Sequence, residues 1–475
     1  FSIFCDDSSE SGEFIMLDEF KKQTNVDVDL KIYPYETATE RLNLDLNSGD
    51  YADVIGGWTL SDNAILTYGV NQGVFIPLED YFEKYCPNIS AILDLPGVRE
   101  KMTAPDGHIY TIPYVCADST VGYSPYINTK WLENVGMSMP TTTDEFEAVL
   151  KAFKEQDANG NGDASDEIPF STDPNNKHIE AMAGYFGLPM NKLGIAIQNE
   201  KVVYGGVSDT YREFLSWFHK LYAEGLVDVE LYTQDSSTWE GKGNQDLYGV
   251  SIAYGSGEFT GIPAAEERGD FDSMPVLNTD KDGIWLRDTE GFSVYRTQAV
   301  ITNKAEHPEI ICRWFDNAFA LENGIGCNRG PVGVIVNKED DGYHAIDTTT
   351  LSEEDQEKYS WGNLWPQSLP KYLPADFEFV EEHPMYDEKK ATEEAYEANL
   401  TKEIIPSYWI DLDKIDTFSD TNTAIKDFFE QQQAQFVCGE LDIDNDADWQ
   451  AYVDGMYSLG LEDWVATQGI EEIAK

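Results

Sequence analysis

Basic side chains are scarce in this chain. Among its 475 residues, 32 are Lys or Arg and 88 are Asp or Glu, so the formal net charge is -56. A surface of that sign repels phosphate backbones and anionic lipid, so we expect no nucleic-acid partner and consider anionic ligands disfavoured. Long apolar runs are also missing. No stretch of about 18 apolar residues occurs, and the sequence predicts no membrane-spanning helix.

Cysteine and histidine are few and dispersed. The six cysteines show no C-x-x-C spacing, which argues against a zinc site and against a thioredoxin motif. A chain of this length can bury a large core without disulfides, so we expect mostly unpaired, buried thiols. These are Cys5, Cys86, Cys116, Cys312, Cys327 and Cys438.

Aromatic residues, in contrast, are abundant. Phe, Trp and Tyr make up 13% of the chain, with 11 Trp and 26 Tyr. This content indicates folded structure rather than an acidic disordered chain. The length predicts two domains, or two lobes of one protein. We expect most Phe and roughly half of the Tyr and Trp in the core, which leaves the others available to bind a ligand.

Oxygen-bearing side chains recur with the spacing of a calcium loop in the segment 157–169. Asp157, Asn159 and Asn161 occupy alternate positions, and Gly162 follows where an EF-hand loop turns sharply. Three hard ligands can therefore converge on one cation. The alternative is an acidic Asn-Gly turn without a metal, which these residues also favour.

The end of this loop departs from the EF-hand pattern. Asp163 would offer a backbone carbonyl, but Ile168 stands at the twelfth position, where the pattern has a bidentate Glu. The nearest acids are Asp166 and Glu167. We therefore predict a single variant loop that is closed by this acidic pair and holds a structural Ca²⁺.

The N-terminal part alternates between strand-like and helical segments. Buried strands are predicted at Phe1–Cys5 and Ala52–Ile55, with helical patterns between them. The second strand ends at two glycines followed by Trp58. This places an indole just past the carboxyl end of a strand, where open α/β sheets bind their ligands. Trp58 is thus a candidate binding residue, and packing beside the glycines is the alternative.

The order of several segments resembles a known family. The segments are strand and helix at Phe1–Thr24, ADVIGGW at 52–58, the crossing strand Ile109–Tyr126 leading into YINTKW, GNGDASDEIP at 160–169, VITNKAEHPE at 300–309, and the stretches that begin at Cys438 and Trp449. Together they resemble the extracellular solute-binding proteins of family 1, the sugar-binding subunits of ABC importers. The resemblance extends over essentially the whole chain, and the acidic loop is similar to the calcium loop of the larger Gram-positive-type members.

The resemblance implies the fold and its division. It implies an α/β fold of the two-lobed periplasmic-binding-protein type, class II, with crossing hinge strands and extra C-terminal helices. The ligand is gripped between lobes that close by a hinge motion. The expected N-terminal lobe is 1–117 plus 298–345, the C-terminal lobe 118–297 plus 346–475, and the hinges lie near Val115–Ser119, near Phe292–Ala299 and between Asp340 and Pro370.

The resemblance also implies the role. The protein is expected outside a Gram-positive-type cell, anchored to the membrane through a removed N-terminal lipoprotein segment. It would capture a neutral oligosaccharide as a monomer and pass it to an ABC permease, without chemistry. Indoles suit the apolar faces of sugar rings, and short carboxylates accept hydroxyl hydrogen bonds. The expected ligand-binding residues are Asp7, Ser8, Trp58, Asp118, Glu258, Trp285, Trp361 and Trp365.

Three alternatives remain open at this level. Arg287, Arg296 and Arg329 could pair with an acidic sugar. An acidic cleft could instead favour a peptide or a polyamine. A glycoside hydrolase needs only two suitably spaced carboxylates, although the order of elements shows no eightfold β/α alternation.

Overall fold

The chain folds into two compact units, which the contacts between residues define. The structure, a computed structural model, describes residues 1–7, 13–173, 178–261, 269–374, 376–380 and 384–474. Unit 1 comprises Phe1–Asp118, Gly291–Glu382 and Trp409–Ile415, and unit 2 comprises Ser119–Glu290, His383–Tyr408 and Asp416–Lys475.

This division differs from the predicted one after residue 345. We expected 346–475 in the second lobe, but residues up to Glu382 belong to unit 1. The reason is that Trp365 and Leu369 pack into the core of unit 1, and the Val115 amide donates to the Lys371 carbonyl. A later excursion, Trp409–Ile415, also returns to unit 1.

The strands alternate with helices along most of the chain. In chain order they are β1 (Ser2–Asp6), β2 (Asp29–Tyr33), β3 (Val54–Gly56), β4 (Thr111–Ala117), β5 (Ser124–Asn128), β6 (Ile168–Thr172), β7 (Ile195–Gln198), β8 (Lys201–Tyr204), β9 (Tyr248–Ala253), β10 (Phe271–Ser273), β11 (Trp285–Arg287), β12 (Phe292–Ile301), β13 (Val336–Glu339), β14 (Gly342–Ala345), β15 (Leu400–Ile404) and β16 (Glu472–Ile473).

Helices connect many of these strands. The α-helices span Ile15–Thr24, Tyr35–Ser48, Asp62–Ala64, Glu79–Tyr85, Pro87–Leu93, Val98–Met102, Thr129–Val135, Thr143–Glu155, Asp209–Ala223, Ser236–Asn244, Gly257–Thr260, Pro308–Asp316, Leu321–Arg329, Glu353–Lys358, Pro384–Tyr396, Ile415–Cys438, Asp446–Ser458 and Leu461–Thr467. In the part of the chain that the structure describes, no helix has the length and apolar character needed to cross a membrane.

Unit 1 is built on a five-stranded sheet of order β2-β1-β3-β12-β4. Strands β2, β1 and β3 are parallel, whereas β12 runs antiparallel to both of its neighbours. Parallel strands need crossover connections, and helices Ile15–Thr24 and Tyr35–Ser48 supply them. The carboxyl ends of β1, β2 and β3 consequently meet at one edge of the sheet.

Unit 2 has a central sheet of order β10-β5-β9-β6, in which β9 and β6 are parallel and β5 is antiparallel to β9. The carboxyl ends of β6 and β9 therefore lie at the same edge as the start of β5. The C-terminal helices pack into the core of this unit, where Phe429 stacks on Tyr211 with centroids 5.5 Å apart.

The thiols agree with the sequence expectation. All six cysteines fall within the described residues and all are free, five of them buried and Cys438 exposed. The core of each unit is therefore held by apolar and aromatic packing rather than by disulfides.

Candidate functional site

The acidic loop of unit 2 folds back on itself through hydrogen bonds to its own side chains. The Gly162 amide donates to Asp157 Oδ2 over 3.0 Å, and the Asn161 amide donates to Asn159 Oδ1 over 2.9 Å. Gly162 has a φ of +93°, a conformation that favours glycine at this sharp turn. The Asp163 amide donates to Asn161 Oδ1, and the Asp163 carboxylate accepts from the Ser165 amide and hydroxyl.

The acidic pair forms hydrogen bonds with earlier residues of the loop. Asp166 Oδ2 accepts from Asn161 Nδ2 over 2.7 Å, and Glu167 Oε1 accepts from the Ala158 amide over 2.8 Å. Burial raises the pKa of Glu167. Asp157 Oδ1 and Glu167 Oε2 are buried oxygens without a hydrogen-bond partner. Buried polar atoms are normally paired, so these two oxygens fit ligands of a hard cation.

At the sheet edge of unit 1, Asp6 fixes the turn that carries Trp58. Asp6 is 0% exposed, and its carboxylate accepts hydrogen bonds from the Trp58 amide (2.9 Å) and the Thr59 amide (2.6 Å). Gly57, with a φ of +134°, lies against this carboxylate, where a Cβ would overlap it. The Asp6 carboxylate thus holds the turn in place, and Trp58 keeps 44% of its surface exposed.

Two tyrosines support the Trp58 indole. Tyr295, on β12, meets Trp58 edge to face with centroids 5.4 Å apart, and Tyr114, on β4, stacks on Tyr295 at 5.5 Å. The Tyr295 hydroxyl donates to Asp118 Oδ2 over 2.7 Å. Because β12 lies between β3 and β4, these residues gather beside the carboxyl end of β3. They form an aromatic floor with a carboxylate at its margin.

The three arginines considered for an acidic ligand already have protein partners. Arg296, 6% exposed, forms two hydrogen bonds with the Asp62 carboxylate, one of them Nε to Oδ1 over 2.8 Å. Arg287 donates to the Thr401 carbonyl, and Arg329 donates to the Asn328 carbonyl. The Asp62 carboxylate compensates the charge of Arg296, whereas a carbonyl partner by itself does not neutralise a guanidinium.

The sheet edge of unit 2 also gathers aromatic rings. Tyr123, which precedes β5, stacks on His178 with centroids 4.0 Å apart, and Tyr254, which follows β9, meets Tyr123 at 6.2 Å. Lys389 Nζ lies 3.9 Å from the centroid of the Tyr254 ring. Burial lowers the pKa of His178 to about 3, so its ring is neutral at physiological pH and stacks as an uncharged plane.

Carboxylates flank these rings. Glu258 accepts a hydrogen bond from the Tyr254 amide over 2.9 Å. Although the residue is exposed, the surrounding protein raises the pKa of Glu258 to about 7 by desolvation, with smaller contributions from Asp173 and Glu240. Asp173, which follows β6, accepts from Ser236 Oγ. This edge is therefore rich in hydrogen-bond acceptors.

Two of the four tryptophans predicted to bind ligand lie in the cores instead. Trp285 is 1% exposed and packs on Tyr185 and Tyr396 in unit 2. Trp365 is 0% exposed and stacks on Trp314 in unit 1. Neither indole reaches the surface, so both assignments are corrected to core packing.

The remaining predicted positions fall into three groups. Trp58, Asp118 and Glu258 lie at the sheet edges. Asp7 is also at the edge but is buried, and its Oδ2 accepts from the Gln367 amide over 2.8 Å, which gives it a structural contact. Trp361 is exposed on a short 3₁₀ turn, and Ser8 lies outside the described residues.

Sequence reasoning missed the tyrosines and His178. Tyr254 follows the carboxyl end of β9, the kind of position that singled out Trp58, whereas Tyr123 precedes the start of β5. The same sequence signal could therefore have found Tyr254 but not Tyr123. Tyr295 lies inside β12 and carries no such signal, because its place depends on which strands flank it.

Comparisons with known proteins give the chain a family. The model of the bacterial extracellular solute-binding protein family matches residues 8–324. The fructooligosaccharide ABC transporter substrate-binding protein FusA of Streptococcus pneumoniae is 33% identical over 335 residues, which span 68% of this chain but only 61% of that protein.

Solved structures agree over nearly the full length. The S. pneumoniae FusA complex with kestose superposes with a TM-score of 0.84 at 26% identity, and it covers 98% of this chain and 97% of the other. An EF-hand mutant of FusA, in complex with fructo-nystose, superposes with a TM-score of 0.83 at 27% identity and the same coverage. With its two α/β units and a family match over most of its length, the chain belongs to the bacterial extracellular solute-binding proteins.

Proposed function

We propose that this protein captures a neutral oligosaccharide outside the cell and delivers it, chemically unchanged, to an ABC permease. The observation that carries the proposal is the exposed Trp58 indole, held by Asp6 and supported by Tyr295 at the carboxyl edge of a sheet. An indole fixed in this way offers its surface to the apolar C–H groups of a sugar ring. Nearby carboxylates accept hydrogen bonds from the hydroxyl groups.

A neutral rather than an acidic sugar is supported by charge. The net charge of -56 repels anions, and Arg287, Arg296 and Arg329 each donate to a protein group. Since FusA binds kestose, fructooligosaccharides are the first class to test. The outer surface of the cell, where the family acts, is the expected location.

A thermal-shift and calorimetry series tests the proposal. Sucrose, kestose, nystose, maltotriose and an oligogalacturonate are each added to the whole protein. A ligand at 100 times its dissociation constant adds about 2.7 kcal/mol of stability, so one neutral series should raise the melting midpoint clearly. The variant Trp58→Ala should weaken that binding about tenfold or more, because a central aromatic anchor is removed.

Chromatography of the recovered sugar separates the alternatives. Uncleaved sugar supports capture without chemistry, whereas cleavage would support a glycoside hydrolase. If no sugar shifts the midpoint and a peptide or polyamine does, the proposal is wrong.

We also propose that the loop 157–167 holds a structural calcium ion. Asp157, Asn159, Asn161, the Asp163 carbonyl, Asp166 and Glu167 would be its ligands. The support is the pair of buried, unpaired oxygens on Asp157 and Glu167, and the EF-hand that FusA is described as having. Bound calcium would neutralise these acids and brace the start of β6 within unit 2.

Chelation tests the calcium proposal. EDTA should lower the melting midpoint, and added Ca²⁺ should restore it, by an amount that grows with calcium concentration. Asp157→Asn should abolish the restoration. Asp163→Asn is the matched control, because Asp163 would bind through its carbonyl and should still respond. An unchanged midpoint after chelation would contradict the proposal.

A further inference from the structure

Trp409 enters unit 1 on a short excursion of the chain. Residues Trp409–Ile415 belong to unit 1, whereas the chain on both sides belongs to unit 2. Ile410 and Ile415 are buried and anchor the segment. Trp409 itself is only partly buried. Two buried isoleucines thus anchor the segment, and Trp409 lies beside them with part of its surface exposed.

The indole of Trp409 is fixed at two points. Its Nε1–H donates to the Lys101 carbonyl over 3.0 Å, and one ring face lies over the Arg296 guanidinium, 4.1 Å from the ring centroid. The N–H and one face are thus engaged by the protein. Trp409 nevertheless keeps part of its surface exposed, and an aromatic ring is what a sugar ring stacks on.

The support beneath this indole is electrically balanced. Arg296 pairs with Asp62 through two hydrogen bonds, so the guanidinium brings no uncompensated charge to the surface. The core tryptophans of unit 1 have a different kind of support, because Trp314 and Trp365 stack on each other. Trp409 instead rests on an ion pair, an arrangement that suits a surface in contact with water and polar ligands.

Trp409 is also connected, through strand β12, to the aromatic floor that contains Trp58. Consecutive residues of β12, Tyr295 and Arg296, contact the two ends of one loop, Tyr295 at Trp58 and Arg296 at Asp62. Four residue steps separate Trp58 from Asp62, which is at most about 14 Å even in an extended chain. The two indoles therefore contact consecutive residues of β12, Trp58 at Tyr295 and Trp409 at Arg296.

We propose that Trp409 forms a second sugar-stacking position of unit 1, which receives a ring of the neutral oligosaccharide farther along its chain than the ring at Trp58. This inference rests on the proposed capture of neutral oligosaccharides. It assigns to Trp409 the preference for chain length: a ligand long enough to reach both indoles binds more tightly than one that reaches a single indole.

Calorimetry with sugars of increasing length tests the inference. Binding of sucrose, kestose and nystose is measured for the wild type, Trp409→Leu, Trp409→Phe and Trp58→Ala. Leu keeps apolar volume but has no aromatic face, whereas Phe keeps the face. We expect Trp409→Leu to weaken the longest sugar bound by about three- to tenfold and the shortest by less than twofold, with Trp409→Phe near wild type. Tyr457→Ala, which removes another exposed aromatic residue, is the control and should change neither.

The outcomes separate this inference from the proposed function. If Trp409→Leu weakens all lengths equally, or lowers the melting midpoint without a length dependence, Trp409 only pins the segment and the inference is overturned. If Trp409→Leu has no effect while Trp58→Ala weakens binding, the inference fails and the proposed function stands. If the wild type binds none of these sugars and no other neutral oligosaccharide, both fail.

Discussion

The sheet edges of the two units carry similar aromatic rings, but the charged groups beside those rings differ. They are buried and hydrogen-bonded in unit 1, whereas in unit 2 they are carboxylates that lie near one another. In unit 1, the charges beneath the rings are paired and buried: Asp6 accepts two backbone amides, and Arg296 pairs with Asp62. In unit 2, Glu258 stands with Asp173 and Glu240, and its pKa rises to about 7. The comparison indicates that unit 1 supplies an aromatic floor held by buried hydrogen bonds, whereas unit 2 supplies an acceptor, Glu258, whose protonation changes near neutral pH.

The largest loss of stability is expected at Gly57, where the backbone lies against the Asp6 carboxylate. Gly57→Ala places a Cβ against the Asp6 carboxylate at a φ of +134°, so steric overlap and backbone strain should lower the free energy of unfolding by about 4 kcal/mol. Urea unfolding followed by tryptophan fluorescence measures it. Gly73→Ala is the control, because its φ is +64° and nothing lies within 4 Å of the added Cβ. It should cost about 1 kcal/mol. Equal losses in the two variants would show that the Asp6 contact is not tight.

The buried ion pair of unit 1 gives the next effect. Asp62→Ala leaves the Arg296 guanidinium buried without its carboxylate, and the loss should be about 3 kcal/mol. Asp45→Ala breaks the more exposed Arg41–Asp45 pair of the same unit and should cost less than about 1 kcal/mol. Chemical denaturation compares the two variants. Similar losses would contradict the view that unit 1 depends on buried pairing.

A smaller effect is expected from the Tyr295 hydroxyl. Tyr295→Phe keeps the ring beneath Trp58 but removes the hydrogen bond to Asp118, a loss of about 1 kcal/mol. Sugar affinity, measured by calorimetry, should change less than in Trp58→Ala, because the indole keeps its support. If Tyr295→Phe reduced affinity as much as Trp58→Ala, the hydroxyl rather than the ring would be the essential part.

The smallest effect concerns pH in unit 2. The pKa of Glu258 is raised, so the folded state holds this proton more tightly than the unfolded state does. Its contribution to stability is complete below about pH 4.5 and is lost as pH rises to about 7. Because Glu258 is exposed, the loss should stay below about 1 kcal/mol. Glu258→Gln should remove this part of the pH dependence, measured as melting midpoints from pH 4.5 to 8. A variant with the wild-type pH profile would contradict the assignment.

Local patterns predicted those features that depend on neighbours in sequence. The order of the local segments carried the family resemblance, which implied the α/β class, and the residues from Asp157 to Glu167 form a loop closed by hydrogen bonds among themselves. Trp58 was found because its position requires only the end of one strand. Each of these rests on a few consecutive residues.

The corrections concern features that depend on distant residues. Whether Trp285 faces a core or a ligand is decided by Tyr185 and Tyr396, which lie about a hundred residues away in either direction. Trp365 is buried because it stacks on Trp314 in the core of unit 1. Likewise, Tyr295 reaches Trp58 only because β12 pairs with β3 and β4. No local pattern contains such pairings.

The position of β12 also determines the order in which unit 1 can form. β12 lies between β3 and β4, yet it follows them in the chain by the whole first segment of unit 2. During synthesis, β3 and β4 therefore lack the strand that joins them until residue 301 has been made. Completion of the unit 1 sheet depends on a contact of long sequence separation, which forms slowly. Unit 1 cannot be produced as one continuous fragment, and a chain truncated before β12 should expose the unpaired edges of both strands.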